Sequence, residues 1–371
     1  MKVSKTFLFV FLIIMSLWLV DAQPVEAQSS GTIYIRADGS VEGAGLTFED
    51  RVYVFTGDIY GQIIIEKDGV IVDGSGYVLH GMNEGGIFLE NRSDIVLRDI
   101  EVVDAPFGIT MVDGRNNQIT ESKCSIYLEN SFNNAVFGNE RISLFFSNSS
   151  ENIVRENNLT DNTRYGFKLQ KSSNENNIFR NKITDSIGGI EFHGNSSNNN
   201  IYENRIVNNA DGIIIFQSYN NSFHDNLIAY NSNYGIFFEG SSKNIFFRND
   251  IVENAHQTGA WFAGGNIWDN GSVGNYWSDY NGTDNNGDGI GGQPYYVPTF
   301  SISTGEGYDV DNYPLMEPVI IPKTQQSEPF PIILIVIAIV IVTVVGATFL
   351  VYFLKGKKTT GKTEIMSEGV K

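Results

Sequence analysis

The chain has 371 residues, with 43 acidic against 25 basic side chains and a net charge of −18. That balance argues against a nucleic-acid binder and leaves cations or uncharged partners. The single cysteine, Cys124, excludes an intrachain disulfide, so stability has to come from a packed core.

The first element along the chain is a targeting segment. Residues 1–27 combine a basic start (Lys2, Lys5), an apolar run over 7–20 and a small-residue cleavage site at Val25-Glu26-Ala27. This pattern reads as a secretory signal peptide, with cleavage after Ala22 as the alternative.

Residues 28–275 read as a stack of β-coils. Residues 32–35 predict a strand covering the first coil. The strand-like runs 63–65, 70–72 and 77–79 follow, separated by Lys-Asp-Gly and Asp73-Gly74-Ser75-Gly76 turns. Residues 95–111 make one coil and 116–149 two shorter ones. From Asn157 to Phe262 the period becomes regular. An Asn stands two places before an aliphatic residue at Asn157, Asn181, Asn204, Asn226 and Asn249, and a Gly opens a β-rich run at Gly166, Gly189, Gly212, Gly235 and Gly259. A period of about 23 residues marks a solenoid, whose units bury their apolar faces only by stacking. After each Gly, apolar residues alternate with others, as in Ile190-Glu191-Phe192, which is strand periodicity. No window shows amphipathic helical spacing, which separates this repeat from a leucine-rich one of similar period. An all-β parallel β-helix is expected, of about ten coils and roughly 50 Å.

Asn suits the corners because it tolerates the left-handed backbone and its amide bonds neighbouring main chain. The five periodic Asn are expected to form one ladder, and Asn162, Ser186, Asn209, Asn231 and Asn254 a second. With the residue after each Gly pointing inward, the next points outward. That alignment gives an outer column of Lys168, Glu191, Ile214, Phe237 and Trp261, and a parallel one of Gln170, His193, Phe216, Glu239 and Ala263. Phe216, Phe237 and Trp261 beside Glu191, His193 and Glu239 form a candidate carbohydrate-binding face. The competing expectation is that the aromatic segment 276–318 folds back over these rings.

That segment, the C-terminal cap, carries three distinctive strings: Tyr276-Trp277-Ser278-Asp279-Tyr280, the loop 284–291, and Tyr313-Pro314-Leu315-Met316. With these strings and its Asn/Ile/Gly coils, the chain resembles the extracellular right-handed β-helix proteins related to NosD, over roughly residues 31–318. Its coils are similar to the repeats called carbohydrate-binding and sugar-hydrolase repeats. The resemblance implies a pectate-lyase-like solenoid and, for NosD itself, an association with copper. The membrane anchor described below resembles surface relatives of archaeal type.

Asp284, Asn286 and Asp288 followed by Gly289 match the first half of an oxygen-ligand calcium loop. The second half departs from it, with Tyr295 at the twelfth position. Asp279, Asp309 or Asp311 would have to supply the missing ligands, and a polar turn without metal is the alternative. Beyond a linker at 319–329, residues 330–354 run 25 positions without a charge, long enough to span a bilayer. Lys355, Lys357 and Lys358 follow at once, which predicts a cytoplasmic tail (355–371) and an external β-helix. The tail carries +3 and the signal segment 0, so the part between them carries about −21. Seven Asn-x-Ser/Thr sequons, at Asn91, Asn148, Asn158, Asn195, Asn220, Asn270 and Asn281, are candidate glycan acceptors.

Three functions remain open. A polysaccharide lyase or hydrolase needs paired carboxylates or a calcium-assisted base, and no Asp-Asp, Gly-His-Gly or Asn-Thr-Asp string is present. Copper handling needs His, Met or Cys donors. His80, His193, His224 and His256 are spaced at intervals that do not stack, and Met82 and Met111 are the Met of the coils. A membrane-anchored module that binds or displays cell-envelope polysaccharide without catalysis needs only the features above, and it is the expectation.

Overall fold

The computed structural model describes residues 29–81, 85–160, 164–301 and 305–320. The expected signal peptide, membrane span and tail lie outside the described residues, as do most of the linker, Met82 and Asn162. Among the described residues none is helical, and no helix is long and apolar enough to cross a membrane.

Short strands stack coil upon coil into three sheets of 14, 11 and 6 strands, parallel but for one antiparallel pair in each of the first two, with a separate two-stranded hairpin. Ten of the eleven strands in the second sheet run parallel, so the described chain makes about ten turns of a β-solenoid. Side chains inside the coils stack in columns. Ile190, Ile213 and Ile236 form one and Phe192, Ile215 and Phe238 another, each at most 1% exposed. Each such side chain contributes about 1.5–3 kcal/mol on burial. Ordering a residue costs about 1–2 kcal/mol in backbone entropy, so a lone coil with one exposed end does not hold itself together.

The N-terminal end is closed as the sequence predicts. Ser29–Ile35 pairs in parallel with Ile59–Ile65, and its own Ile33 and Ile35 are buried. The hairpin of Leu46–Glu49 and Val52–Phe55 protects the edge of the second sheet. At the other end Tyr276–Trp277 pairs with Asp250–Val252, so the first aromatic string is the last rung of the third sheet.

Both expected Asn ladders are present, the second from Ser186 onward. In each, the side-chain amide and the backbone N–H of one Asn donate to Oδ1 of the Asn one coil later, as from Asn204 to Asn226 at 3.0 and 3.0 Å. A further ladder runs from Asn117 through Asn134, Asn152, Asn176, Asn199, Asn221 and Asn244 to Asn266. The cap ends two of them. Asp309 accepts the N–H of Asn266 at 3.0 Å, and Asp311 accepts that of Asn275 at 2.8 Å. Asp250 accepts the N–H groups of Val319 and Ile320, both at 2.7 Å, and so fixes the chain just beyond the cap on the third sheet.

Candidate functional site

The outer face of the long sheet places most of the expected site residues together. Phe216 pairs with Glu239 and Glu239 with Trp261, while His193 lies one coil before Phe216 with ring centroids 5.7 Å apart. Phe237 belongs to the neighbouring column, 6.3 Å from Phe216.

Two expectations are corrected. Trp261 stands opposite Glu239 rather than in the Phe237 column, and Ala263, expected beside Glu239, is buried and bridges Phe300. The cause is a shorter step into the last strand, His256–Trp261, where His256 pairs with Tyr234 and Gly259 with Phe237. A Cβ on Gly259 would collide with the Tyr234 ring, so Gly is required there by packing rather than by the repeat. Thr258 and Ala260 then take the slots of Ile236 and Phe238. Trp268 and Trp277 supply the missing bulk at this end of the core. The second correction concerns Glu191. It is only 2% exposed, because its carboxylate folds against Lys168 (2.9 Å) beneath the outer surface. Its Oε2 has no hydrogen-bond partner.

The aromatic segment does fold back, through the hairpin of Tyr295–Ser301 and Gly305–Asp311, but it leaves Trp261 60% exposed. Between the last coil and the hairpin run two clefts that share Pro298. One, of about 400 Å³, is walled by Trp261, Phe300, Tyr308 and Glu306. The other, of about 460 Å³, is walled by Glu253, His256, Gln257, Asp279 and Tyr295. Phe262 lies next to Trp261, 47% exposed, with a backbone φ of +50° that only the surroundings can impose on a bulky residue. The two preceding positions at this corner hold Gln217 and Gly240, also with positive φ. In the polar cleft the Tyr295 hydroxyl is 3.2 Å from each Asp279 oxygen. Burial first, and then Asp279, push the Tyr295 phenol up, so it stays a proton donor at neutral pH. The hairpin's share of this groove had no signal in the repeat, since Phe300 and Tyr308 belong to no coil.

The donors that copper would need are dispersed. His80 stacks on Tyr60, His224 lies between Tyr202 and Phe247, and Cys124 is buried with its thiol pushed up to about 12. Among the described residues no three His, Cys, Asp or Glu side chains gather where they would hold a metal ion. The described residues do not fit a copper site. In the loop read as a calcium site, Asp284 accepts backbone N–H groups from Asn286, Gly287 and Gly289, and Asp288 accepts from Ile290. Asp309 and Asp311, expected as extra ligands, are engaged in ending the Asn ladders.

Among solved structures, a double mutant of the periplasmic alginate epimerase AlgG matches at 18% identity, covering 60% of this chain and 69% of that one, with a TM-score of 0.38. The Dettilon tailspike protein matches at 14%, covering 58% and 59%, with a TM-score of 0.41. The A-module of the Azotobacter vinelandii mannuronan C-5 epimerase AlgE4 matches at 16%, covering 55% and 71%, with a TM-score of 0.37. No curated protein matches. The family model described as periplasmic copper-binding protein (NosD) matches residues 62–282, well over half of the chain. With that match on a parallel β-solenoid, the chain belongs to the NosD family.

Proposed function

We propose that the chain is a surface-anchored β-helix module that binds carbohydrate in the groove beside its last coil without cleaving it. The observation that carries this reading is Trp261, 60% exposed and walled by the exposed rings of Phe300 and Tyr308. A rigid indole left open in a cleft with polar groups at one end supports stacking on a sugar ring with directed hydrogen bonds. His193, Phe216 and Glu239 extend the same face across three further coils.

The test is a glycan array probed with the full chain in detergent, with and without calcium. Specific binding that Trp261→Ala removes without lowering the melting temperature supports the module. Release of shortened sugars would instead make the chain a hydrolase or lyase, and binding indifferent to Trp261→Ala would place the site elsewhere. The anchor rests on the uncharged run at 330–354 and the Lys that follow it. Protease added to intact cells should remove the β-helix and spare a tag on the tail, and cleavage of that tag would overturn the orientation.

A further inference from the structure

The two clefts share one electrostatic feature. Their walls hold three carboxylates, Glu253, Asp279 and Glu306, and neither holds a Lys or an Arg. Glu239 adds a fourth carboxylate beside Trp261 on the same face. The last four strands of the long sheet, from Gly188–Phe192 to His256–Trp261, hold no Lys or Arg, and Lys168 on the strand before them is held by Glu191 at 2.9 Å. Around the clefts the chain is itself strongly acidic.

We infer that the groove selects uncharged glycans and rejects acidic ones, an inference that rests on the carbohydrate reading above. A carboxylated sugar entering the groove would bring a negative charge against three others, with no Lys or Arg in the walls and the His256 imidazole as the sole basic side chain there. Like-charge placement in a partly desolvated cleft is a repulsive element, and specificity built that way needs no extra attraction to the preferred ligand. A neutral sugar meets the same carboxylates as hydrogen-bond acceptors for its hydroxyls, and the rings of Trp261, Phe300 and Tyr308 as stacking surfaces. The six-residue strand His256–Trp261 is about 20 Å long, so the groove has room for several sugars in line.

The experiment compares two oligosaccharides that differ in one group. Calorimetry on the full chain in detergent would use β-1,4-linked mannohexaose and hexamannuronate, in which each C6 hydroxymethyl is a carboxylate. Cellohexaose would be a second neutral probe. At low ionic strength a neutral hexamer should bind at least about tenfold more tightly than hexamannuronate, and the gap should shrink at about 0.15 M salt, where charges are screened within about 8 Å. It should also shrink in a Glu253→Gln/Glu306→Gln variant whose melting temperature is unchanged. Hexamannuronate binding as tightly as the neutral hexamers would overturn the charge selection and leave the carbohydrate reading standing. If neither neutral nor acidic hexamers bind, the carbohydrate reading itself fails. A gap untouched by salt and by the double variant would also overturn the inference, since its cause would then not be charge.

Discussion

Asn275 donates its backbone N–H to Asp311 at 2.8 Å, and with that bond a ladder reaching back through Asn249 and Asn226 comes to an end. Such a ladder has a direction, because each Asn gives its amide and N–H to the oxygen one coil onward. The last rung therefore holds donors with no Asn ahead of it, and only an acceptor-only group closes it fully. The Asp311 carboxylate does so while also accepting the Trp277 indole N–H at 2.9 Å and the Tyr313 N–H at 3.1 Å.

Removing Asp311 should be costly. Asp311→Ala leaves the Asn275 and Trp277 donors buried without this partner, at about 1–3 kcal/mol each, and also frees the half-buried Tyr313 N–H. A melting temperature within a degree or two of wild type would contradict the capping role. The pH dependence has a definite sign. Burial pushes Asp311 up from 3.8 to about 6, so between those values the folded chain holds a proton that the unfolded chain does not. Its contribution is therefore fully present below about pH 4 and is lost as pH rises through 6, by up to about 3 kcal/mol. The difference in stability between wild type and Asp311→Asn should carry that slope, whatever other carboxylates do.

A middle rung should matter as much as the end. Asn204 accepts from Asn181 and donates to Asn226, to the Ile178 carbonyl and to the Tyr202 carbonyl at 2.8–3.0 Å. Asn204→Asp keeps the shape but loses every donor and sets a carboxylate against the Asn226 oxygen. We expect a loss of about 2–5 kcal/mol by chemical denaturation, larger than for Asn204→Ala. Asn204→Asp as stable as wild type would mean that shape alone, and not donor direction, holds the ladder.

The coils were legible because their physics is periodic: inward Ile and Phe, left-handed Asn corners and stacked amides all recur at one interval. The ladder through Asn176, Asn199 and Asn221 carries the same signal, in Asn-Asn and Asn-Ser pairs two residues before Ile or Phe. The site was less legible because it begins where the period breaks. Aligning Gly259 with Gly235 put Trp261 two residues out of register, since nothing local announces that Gly259 serves the Tyr234 ring. Glu191 was misjudged for a related reason. Alternation tells which face a side chain leaves from, and not whether a neighbour such as Lys168 folds it down.

The Lys168–Glu191 pair gives a prediction of its own. Lys168→Ala would leave a carboxylate at 2% exposure without its cation, with only the Tyr165 phenol beside it, and a cost of about 3–5 kcal/mol is expected. Replacing both at once, as Lys168→Met with Glu191→Leu, should recover most of it, because the outer column beside them already holds Ile214 and Phe237. A double variant no more stable than Lys168→Ala would show that packing, and not the stranded charge, sets the cost.

Calcium should bind weakly if it binds the Asp284 loop. The Gly289 amide is the largest of the influences that lower the Asp284 carboxyl, and an ion would have to share or displace that bond. Affinity weaker than about 10⁻⁴ M is expected, in the range of extracellular modules, with Asp288→Ala removing the heat of binding. Submicromolar binding, or heat that survives Asp288→Ala, would refute this assignment.

Phe262 ties conformational strain to the groove. It takes a φ of +50° at a corner where Gly240 stands one coil earlier, and it still holds its ring half exposed, 6.2 Å from Phe300. A left-handed L-residue costs about 1–2 kcal/mol relative to Gly. Phe262→Gly relieves that cost, gives up a partly exposed ring and adds freedom to the unfolded chain of about 0.5–1 kcal/mol. These changes nearly cancel, so stability should stay within about 1 kcal/mol of wild type. Phe238→Ala in the core, by contrast, should lose about 3–5 kcal/mol. If the strain is kept because the ring supports Phe300, which walls the groove beside Trp261, Phe262→Gly should weaken glycan binding at nearly constant melting temperature. Unchanged binding would mean that Phe262 serves only the hairpin, and a fall in melting as large as that of Phe238→Ala would make it a core residue.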